Sequence, residues 1–256
     1  MTDERAGRWI LGAPLSSGEL GEVRRATDGT EVAAIKRLHT HAAREPALVA
    51  LFAAEAELTC ALAPHPHRVR GLDHDLAAPR PYLVMALVDG GDLRGRLGTA
   101  WPEATVAALL APVAAAVAAL HAAGWVHGDV VPANLIDAPG GPVLCDLGVA
   151  RRVGDGGPVR GTAAYMAPEQ VRGAAWTPAI DVFALGAIAW ELATGARLFH
   201  RGASFLSMAA VVEATAPPVD DPGLAPLVAA ALAKAPGDRP TAAALAAALA
   251  VRAAQV

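Results

Sequence analysis

Four short clusters in the 256-residue sequence carry residue types suited to holding a phosphate, a hard cation and a hydroxyl proton. Gly18-Glu19-Leu20-Gly21-Glu22-Val23 lies between two strand-like runs, where glycines let a turn bring backbone N–H groups close to a phosphate. Alone it is an ordinary Gly-rich hairpin. Lys36 ends the apolar run Val32-Ala33-Ala34-Ile35, and Glu55 on the following helix is spaced to turn inward and pair with it. An ammonium held in that way could grip phosphates; unpaired, it would be a solvated strand end. His127-Gly128-Asp129-Val130-Val131-Pro132-Ala133-Asn134 sets an Asp and an Asn five residues apart on an irregular loop. The Asp can take or position a hydroxyl proton, and the Asn can offer its oxygen to a hard metal. Asp146-Leu147-Gly148 follows the strand-like Val143-Leu144-Cys145, a carboxylate at a strand end that suits metal binding.

These residues need elements to position them. Residues 8–15, 20–27 and 31–38 read as strands separated by Gly and polar turns. Residues 46–62 read as a helix, with Leu48, Leu51, Phe52, Glu55, Leu58 and Leu62 on recurring turns. Strands are expected near 68–75 and 81–88, and Asp89-Gly90-Gly91-Asp92 breaks the pattern. A long alanine-rich helix is expected over 103–123, then an irregular stretch over 126–150 with strand pieces at 134–136 and 142–145. Helices follow at about 168–173, 181–194, 204–213, 224–234 and 241–253. A β-rich part joined to a helical part predicts an α+β fold of two lobes with a ligand cleft at residues 86–91.

Composition limits the function classes. Hydrophobic residues make up 54% and aromatics 4%, with alanine supplying much of the apolar count. Net charge is −4 with both signs interspersed, so no basic block predicts a nucleic acid partner and no basic amphipathic stretch predicts a membrane surface. Cys60 and Cys145 read as small buried hydrophobes in a reducing compartment. Met1 to Arg8 is short and charged, without the apolar core of a secretory signal, and a cytoplasmic location is expected.

Taken in order, the four clusters resemble the Gly-rich loop, strand lysine, catalytic loop and D-F-G metal motif of Hanks-type (eukaryotic-like) serine/threonine protein kinases, especially bacterial ones. Gly161-Thr162-Ala163-Ala164-Tyr165-Met166-Ala167-Pro168-Glu169 resembles the end of the activation segment. Asp181 to Gly186 resembles the start of the central lower-lobe helix, and Asp238-Arg239-Pro240 the site of the Arg that pairs with Glu169. The resemblance implies a bilobal kinase fold: a tail over 1–8, an N-lobe over 9–85, a hinge over 86–91 and a C-lobe over 92–256. It implies ATP with Mg²⁺ or Mn²⁺ as cofactors. Asp129 would be the catalytic base, supported by Thr162, and Asn134 and Asp146 would hold the metal. Lys36, held by Glu55, would contact the α- and β-phosphates beneath Gly18 and Gly21. Leu15, Val23 and Ala34 would cover the adenine from above and Ile136 from below. Met85 would be the gatekeeper, Ala86 to Val88 the hinge backbone, and Asp92 a ribose contact. His127 and Asp181 would be structural.

Three positions depart from the family pattern. Ser16 replaces the first glycine of the loop. Gly128 replaces the arginine that reads an activation-loop phosphate, and residues 149–161 contain no Ser, Thr or Tyr. Reader and modifiable residue are missing together, so the loop is expected to be ordered by packing or by Arg151 and Arg152 with Asp155. Val131 replaces the lysine two residues after the catalytic Asp, a loss of charge beside the moving phosphoryl. A slow kinase follows from this, or alternatively an ATP-binding pseudokinase; Val131→Lys is expected to speed transfer where charge is what is missing. A third reading is a small-molecule phosphotransferase, against which the Ala167-Pro168-Glu169 segment argues. The protein substrate is not readable. Regulation is expected from a partner chain or a homodimer, and the composition points to a high-GC bacterial source.

Overall fold

The computed structural model describes residues 4–254. They divide into two compact units, one of residues 4–65 and 69–89, the other of 66–68 and 90–254.

The first unit is a six-stranded antiparallel sheet with one helix. The strands are β1 (Arg5–Ala6), β2 (Trp9–Ser17), β3 (Gly21–Thr27), β4 (Val32–Leu38), β5 (Gly71–Asp75) and β6 (Tyr82–Ala86), in the order β1-β2-β3-β4-β6-β5. Because side chains alternate along a strand, each strand feeds two faces. Ala26, Ala33, Ile35 and Val84 go to one face and bury Trp9, Leu11 and Tyr82 with them. Val23, Lys36 and Leu83 occupy cross-strand partner positions on the opposite face, as do Ala34 and Met85. The hydrophobic pattern of β4 thus fixes a register that brings the polar end of Lys36 out on the second face.

The helix α1 (Pro46–Ala61) starts with Pro46 in the first turn, where its missing N–H satisfies no intrahelical bond. It buries Phe52, Glu55, Ala56, Leu58 and Thr59. The expected helix face is corrected at one position: Leu51, one turn before the buried Glu55 and two turns before the buried Leu58, is exposed. Residues 4–8, expected as a tail, are corrected too. Arg5 and Ala6 pair with Ile10 and Trp9, and Glu4 binds Arg24 and Arg37 through its carboxylate at 2.6 and 2.5 Å. Arg37, only 5% exposed, also bonds Glu22 at 2.7 Å, and Glu22 accepts from Arg80 at 2.9 Å. Residues 1–3 of the expected tail lie outside the described residues.

The second unit is mainly helical. It comprises α2 (Glu103–Ala122), α3 (Pro168–Val171), α4 (Ala179–Thr194), α5 (Ser204–Glu213), α6 (Ala225–Ala231) and α7 (Ala242–Ala253). Every residue of α4 from Ile180 to Leu192 is buried, the signature of a helix enclosed on all sides. Against it pack α2 and α6, while α7 lies along α2. By length and composition α2 could also cross a membrane; half of that stretch is buried inside the unit. Two small sheets stand beside the helices. One joins β7 (Gly91–Asp92), β9 (Leu135–Ala138) and β10 (Gly141–Leu144); the other pairs β8 (Trp125–Val126) with β11 (Arg151–Arg152). Residues 66–68 belong here because His67 Nδ1 contacts the Pro142 carbonyl at 2.9 Å and the His67 carbonyl accepts from Leu144 N–H at 2.9 Å.

Candidate functional site

In the first unit, Lys36 Nζ donates to Glu55 Oε1 at 2.6 Å. Glu55 is 6% exposed, and a carboxylate so buried requires a charged partner to offset its desolvation. The sheet register places Val23, Ala34 and Met85 on the same face as Lys36. Gly18 N–H donates to the Gly21 carbonyl at 2.9 Å and closes the β2–β3 turn. Leu15 sits at a bulge between the Pro14–Arg24 and Ser16–Val23 pairs and is 51% exposed. The Ala86 amide is committed to the Arg70 carbonyl at 2.9 Å. A backbone donor for a purine edge must therefore come from beyond the strand, where Val88 lies.

In the second unit, the loop after β8 is held in detail. Asp181, fully buried on α4, accepts from the backbone N–H of His127 and of Gly128, each at 2.8 Å, and contacts His121 Nε2 at 2.8 Å. His127 Nδ1 accepts from the Asp129 amide at 3.2 Å, and Nε2 contacts the Cys145 carbonyl at 3.2 Å. His127 therefore ties the loop carrying Asp129 to the strand end carrying Asp146. Asp129 Oδ1 accepts the Thr162 backbone N–H at 2.7 Å, so Thr162 acts through its main chain. Asn134 Nδ2 donates to Asp129 Oδ2 at 3.2 Å and to the Asp129 carbonyl at 3.0 Å. The amide nitrogen is thus committed to the loop, and Oδ1 is the Asn134 atom left for a hard cation.

Asp146 has φ 65°, the only non-Gly residue with positive φ among the described residues. Such a backbone costs on the order of 1–3 kcal/mol and persists where the surroundings enforce it, commonly at a working site. Here Cys145 N–H donates to the Asn134 carbonyl at 2.9 Å, and Asp146 Oδ1 accepts from Gly148 N–H at 3.1 Å. Asn134 and Asp146 are thereby linked through adjacent backbone. An oxygen pair of this kind suits Mg²⁺ or Mn²⁺, which take a few protein oxygens together with substrate phosphates. Among the described residues no group of three His, Cys, Asp or Glu could hold a metal without such help. Ile136 is paired across β7–β9 with Asp92. The Asp92 carboxylate accepts from Arg94 at 2.9 and 2.6 Å, which holds its pKa below the usual carboxylate range and engages the group expected to meet a ribose.

Four features were not anticipated from sequence. Gln170 Nε2 bridges the Gly128 carbonyl at 2.8 Å and the Arg160 carbonyl at 2.9 Å. Trp176, 1% exposed, fills the space beside Gly128. Val131, expected near the phosphate, is 3% exposed and part of the helical core. Of the two expected ways of ordering the segment, packing is prominent: Arg151 and Arg152 lie over the rings of Trp176 and Trp125, at 4.3 and 4.4 Å, while Asp155 also attracts the Arg151 charge. Only tryptophan spacing could have hinted at this. The Glu169–Arg239 pair is formed as expected, bidentate at 2.6 and 2.9 Å.

A paired Lys–Glu on a sheet, a buttressed Asp–Asn loop and a strained Asp at a strand end are the parts of a phosphoryl-transfer domain. Residues 9–249 match the protein kinase domain family, and the chain belongs to it. It is similar to three bacterial serine/threonine-protein kinases: Pkn1 of Myxococcus xanthus (35% identical over 92% of this chain and 36% of that protein), PkaA of Streptomyces coelicolor (37%, 92% and 48%) and PknL of Mycobacterium tuberculosis (35%, 91% and 62%). The chain thus spans between about a third and less than two thirds of the length of these relatives.

Proposed function

We propose that this chain is an active serine/threonine protein kinase domain that transfers the γ-phosphoryl of ATP to a protein hydroxyl without needing a phosphate on its activation segment. The observation that carries this reading is the seating of Asp129. One carboxylate oxygen receives the Thr162 amide at 2.7 Å and the other receives Asn134 at 3.2 Å. Neither contact requires a phosphorylated residue.

Asp129 orients the substrate hydroxyl and takes its proton as the oxygen attacks the γ-phosphorus. The new bond is P–O to the substrate. The bond broken joins the γ-phosphorus to the β–γ bridging oxygen, which departs on ADP with the electron pair. Lys36 would hold the α- and β-phosphates, and Asn134 Oδ1 and Asp146 would hold a divalent ion, which would supply charge neutralisation at the phosphates. Positioning supplies most of the rate in such chemistry. Val131 offers no cation beside the moving phosphoryl, and a missing donor of that kind commonly lowers rate by about 10²–10³. A slow enzyme is the consequence.

Burial of Val131 also favours a second reading, an ATP-binding pseudokinase that signals through a partner. Labelled ATP and Mg²⁺ separate the two. Incorporation into a protein acceptor, lost in Asp129→Asn, supports the enzyme. Thermal stabilisation by ATP without incorporation supports the scaffold. A stoichiometric activating phosphate mapped between residues 149 and 162 would overturn phosphorylation independence.

A further inference from the structure

The activation segment needs something to hold it where the family pattern uses an arginine and a phosphate. Trp176, in the loop between α3 and α4, meets that need by contacts on three sides. Its backbone N–H donates to the Asp155 carbonyl at 2.9 Å, and its carbonyl accepts from Gly154 N–H at 2.8 Å. The Arg151 guanidinium lies 4.3 Å from the ring centroid, and Arg151 also donates to the Pro158 carbonyl at 2.7 Å. The ring also lies against Gly128, one residue before Asp129. A β-carbon there would sit 1.9 Å from Trp176 Cζ3, and Gly128 adopts φ 77°. Only glycine combines that backbone with that approach.

We infer that Trp176 and Arg151 form a cation–aromatic latch that positions the activation segment against the catalytic loop, taking the place of an arginine–phosphate pair. The inference rests on the kinase reading above and names the device behind its phosphorylation independence. Gly128 is then more than a lost arginine: removing the side chain makes room for the ring. A cation over an indole face is attractive with no added group, and more so where water is excluded. Both residues are positioning residues. They act on Asp129 through the segment, since Gln170 ties the Gly128 carbonyl to that of Arg160, and a β-carbon on Gly161 would lie 2.8 Å from the Gly128 oxygen. Thr162, next in sequence, donates its amide to Asp129.

Hydrogen exchange of peptides covering 149–162 in the full chain tests the latch directly, because it needs no turnover. Trp176→Leu and Arg151→Gln should each raise exchange there by about tenfold, with peptides of α2 and α4 unchanged. Arg151→Lys keeps a cation and should retain most of the protection. Where the wild type incorporates label, Arg151→Gln should lose at least about tenfold in kcat with little change in the affinity for an ATP analogue. Should Trp176→Leu fail to fold, Arg151→Gln decides alone. Wild-type exchange in a folded Arg151→Gln chain would overturn the latch. Absence of incorporation by the wild type would instead overturn the kinase reading, leaving the exchange result to judge the latch.

Discussion

Gly128 and Trp176 compete for one volume, since a β-carbon on Gly128 would lie 1.9 Å from the indole ring. Gly128→Ala should therefore be costly in two ways, by overpacking and by strain at φ 77°. Together these amount to about 3 kcal/mol, a fall in Tm of roughly 6–12 °C for a chain of this size. In a Trp176→Leu background the same exchange should cost only the strain, about 1 kcal/mol. Scanning fluorimetry on the four chains measures both, and equal penalties in the two backgrounds would refute the steric link.

Lys36 depends on Glu55 for its place, at 2.6 Å. Glu55→Gln keeps the side-chain shape and removes the charge. Phosphotransfer should fall by about 10² while circular dichroism stays that of the parent. An unchanged rate would show that Lys36 is held by something else.

Val131 is buried in the core, so the lysine expected from sequence to speed catalysis must first leave that packing. An ammonium at this position loses hydration, and its four-carbon stem must reach out to recover it. Val131→Lys should lower Tm by about 5–10 °C and speed transfer as the stem carries the ammonium out to the phosphoryl. A variant that melts lower and transfers no faster would mean that no charge is missing beside the phosphoryl.

Arg239 is 8% exposed and also donates to the Ala233 and Ala179 carbonyls. Breaking a buried pair leaves a stranded charge at a cost of about 3–5 kcal/mol. Glu169→Gln should thus lower Tm by roughly 10 °C. Replacing both partners by apolar residues, Glu169→Leu with Arg239→Met, should recover part of that loss. A double variant no more stable than the single would argue that the backbone bonds of Arg239 dominate.

Acid should weaken the first unit through Glu4 and Glu22. The hydrogen bond from Arg37 lowers the pKa of Glu4. Burial opposes the shift at Glu22, but bonds from Arg37 and Arg80 outweigh it. Both folded values lie below the unfolded ones, so their contribution is present above about pH 4.3 and is lost as pH falls through the lower folded values. Tm measured from pH 6 to pH 3 should fall more steeply for the parent than for Arg37→Met. Parallel curves would dismiss the network as a source of acid sensitivity.

The longer strands and helices of the fold are legible from apolar runs bounded by Gly, Pro and polar turns. The helix of Ser204–Glu213 was placed to the residue, and α2 to within one. The ordered motifs likewise marked Lys36, Asp129, Asn134 and Asp146. What sequence did not reveal is set by contacts between distant segments. Nothing local to Trp176 announces that its ring enters the space of a residue 48 positions earlier (176 − 128). Nor does Val131 announce its burial, which depends on helices remote in sequence. The strand at Arg5–Ala6 is two residues long and has no period to read.

That strand also bears on how far the first unit extends beyond the family match. The kinase resemblance starts at residue 9, yet Leu11 N–H donates to the Glu4 carbonyl at 2.8 Å, and the Glu4 carboxylate serves both Arg24 and Arg37. A chain trimmed to the family boundary would lose an edge strand and one of two carboxylates around a guanidinium with almost no access to water. The first unit thus reaches at least to Glu4, five residues outside the limit drawn by likeness, because a charge there must stay neutralised.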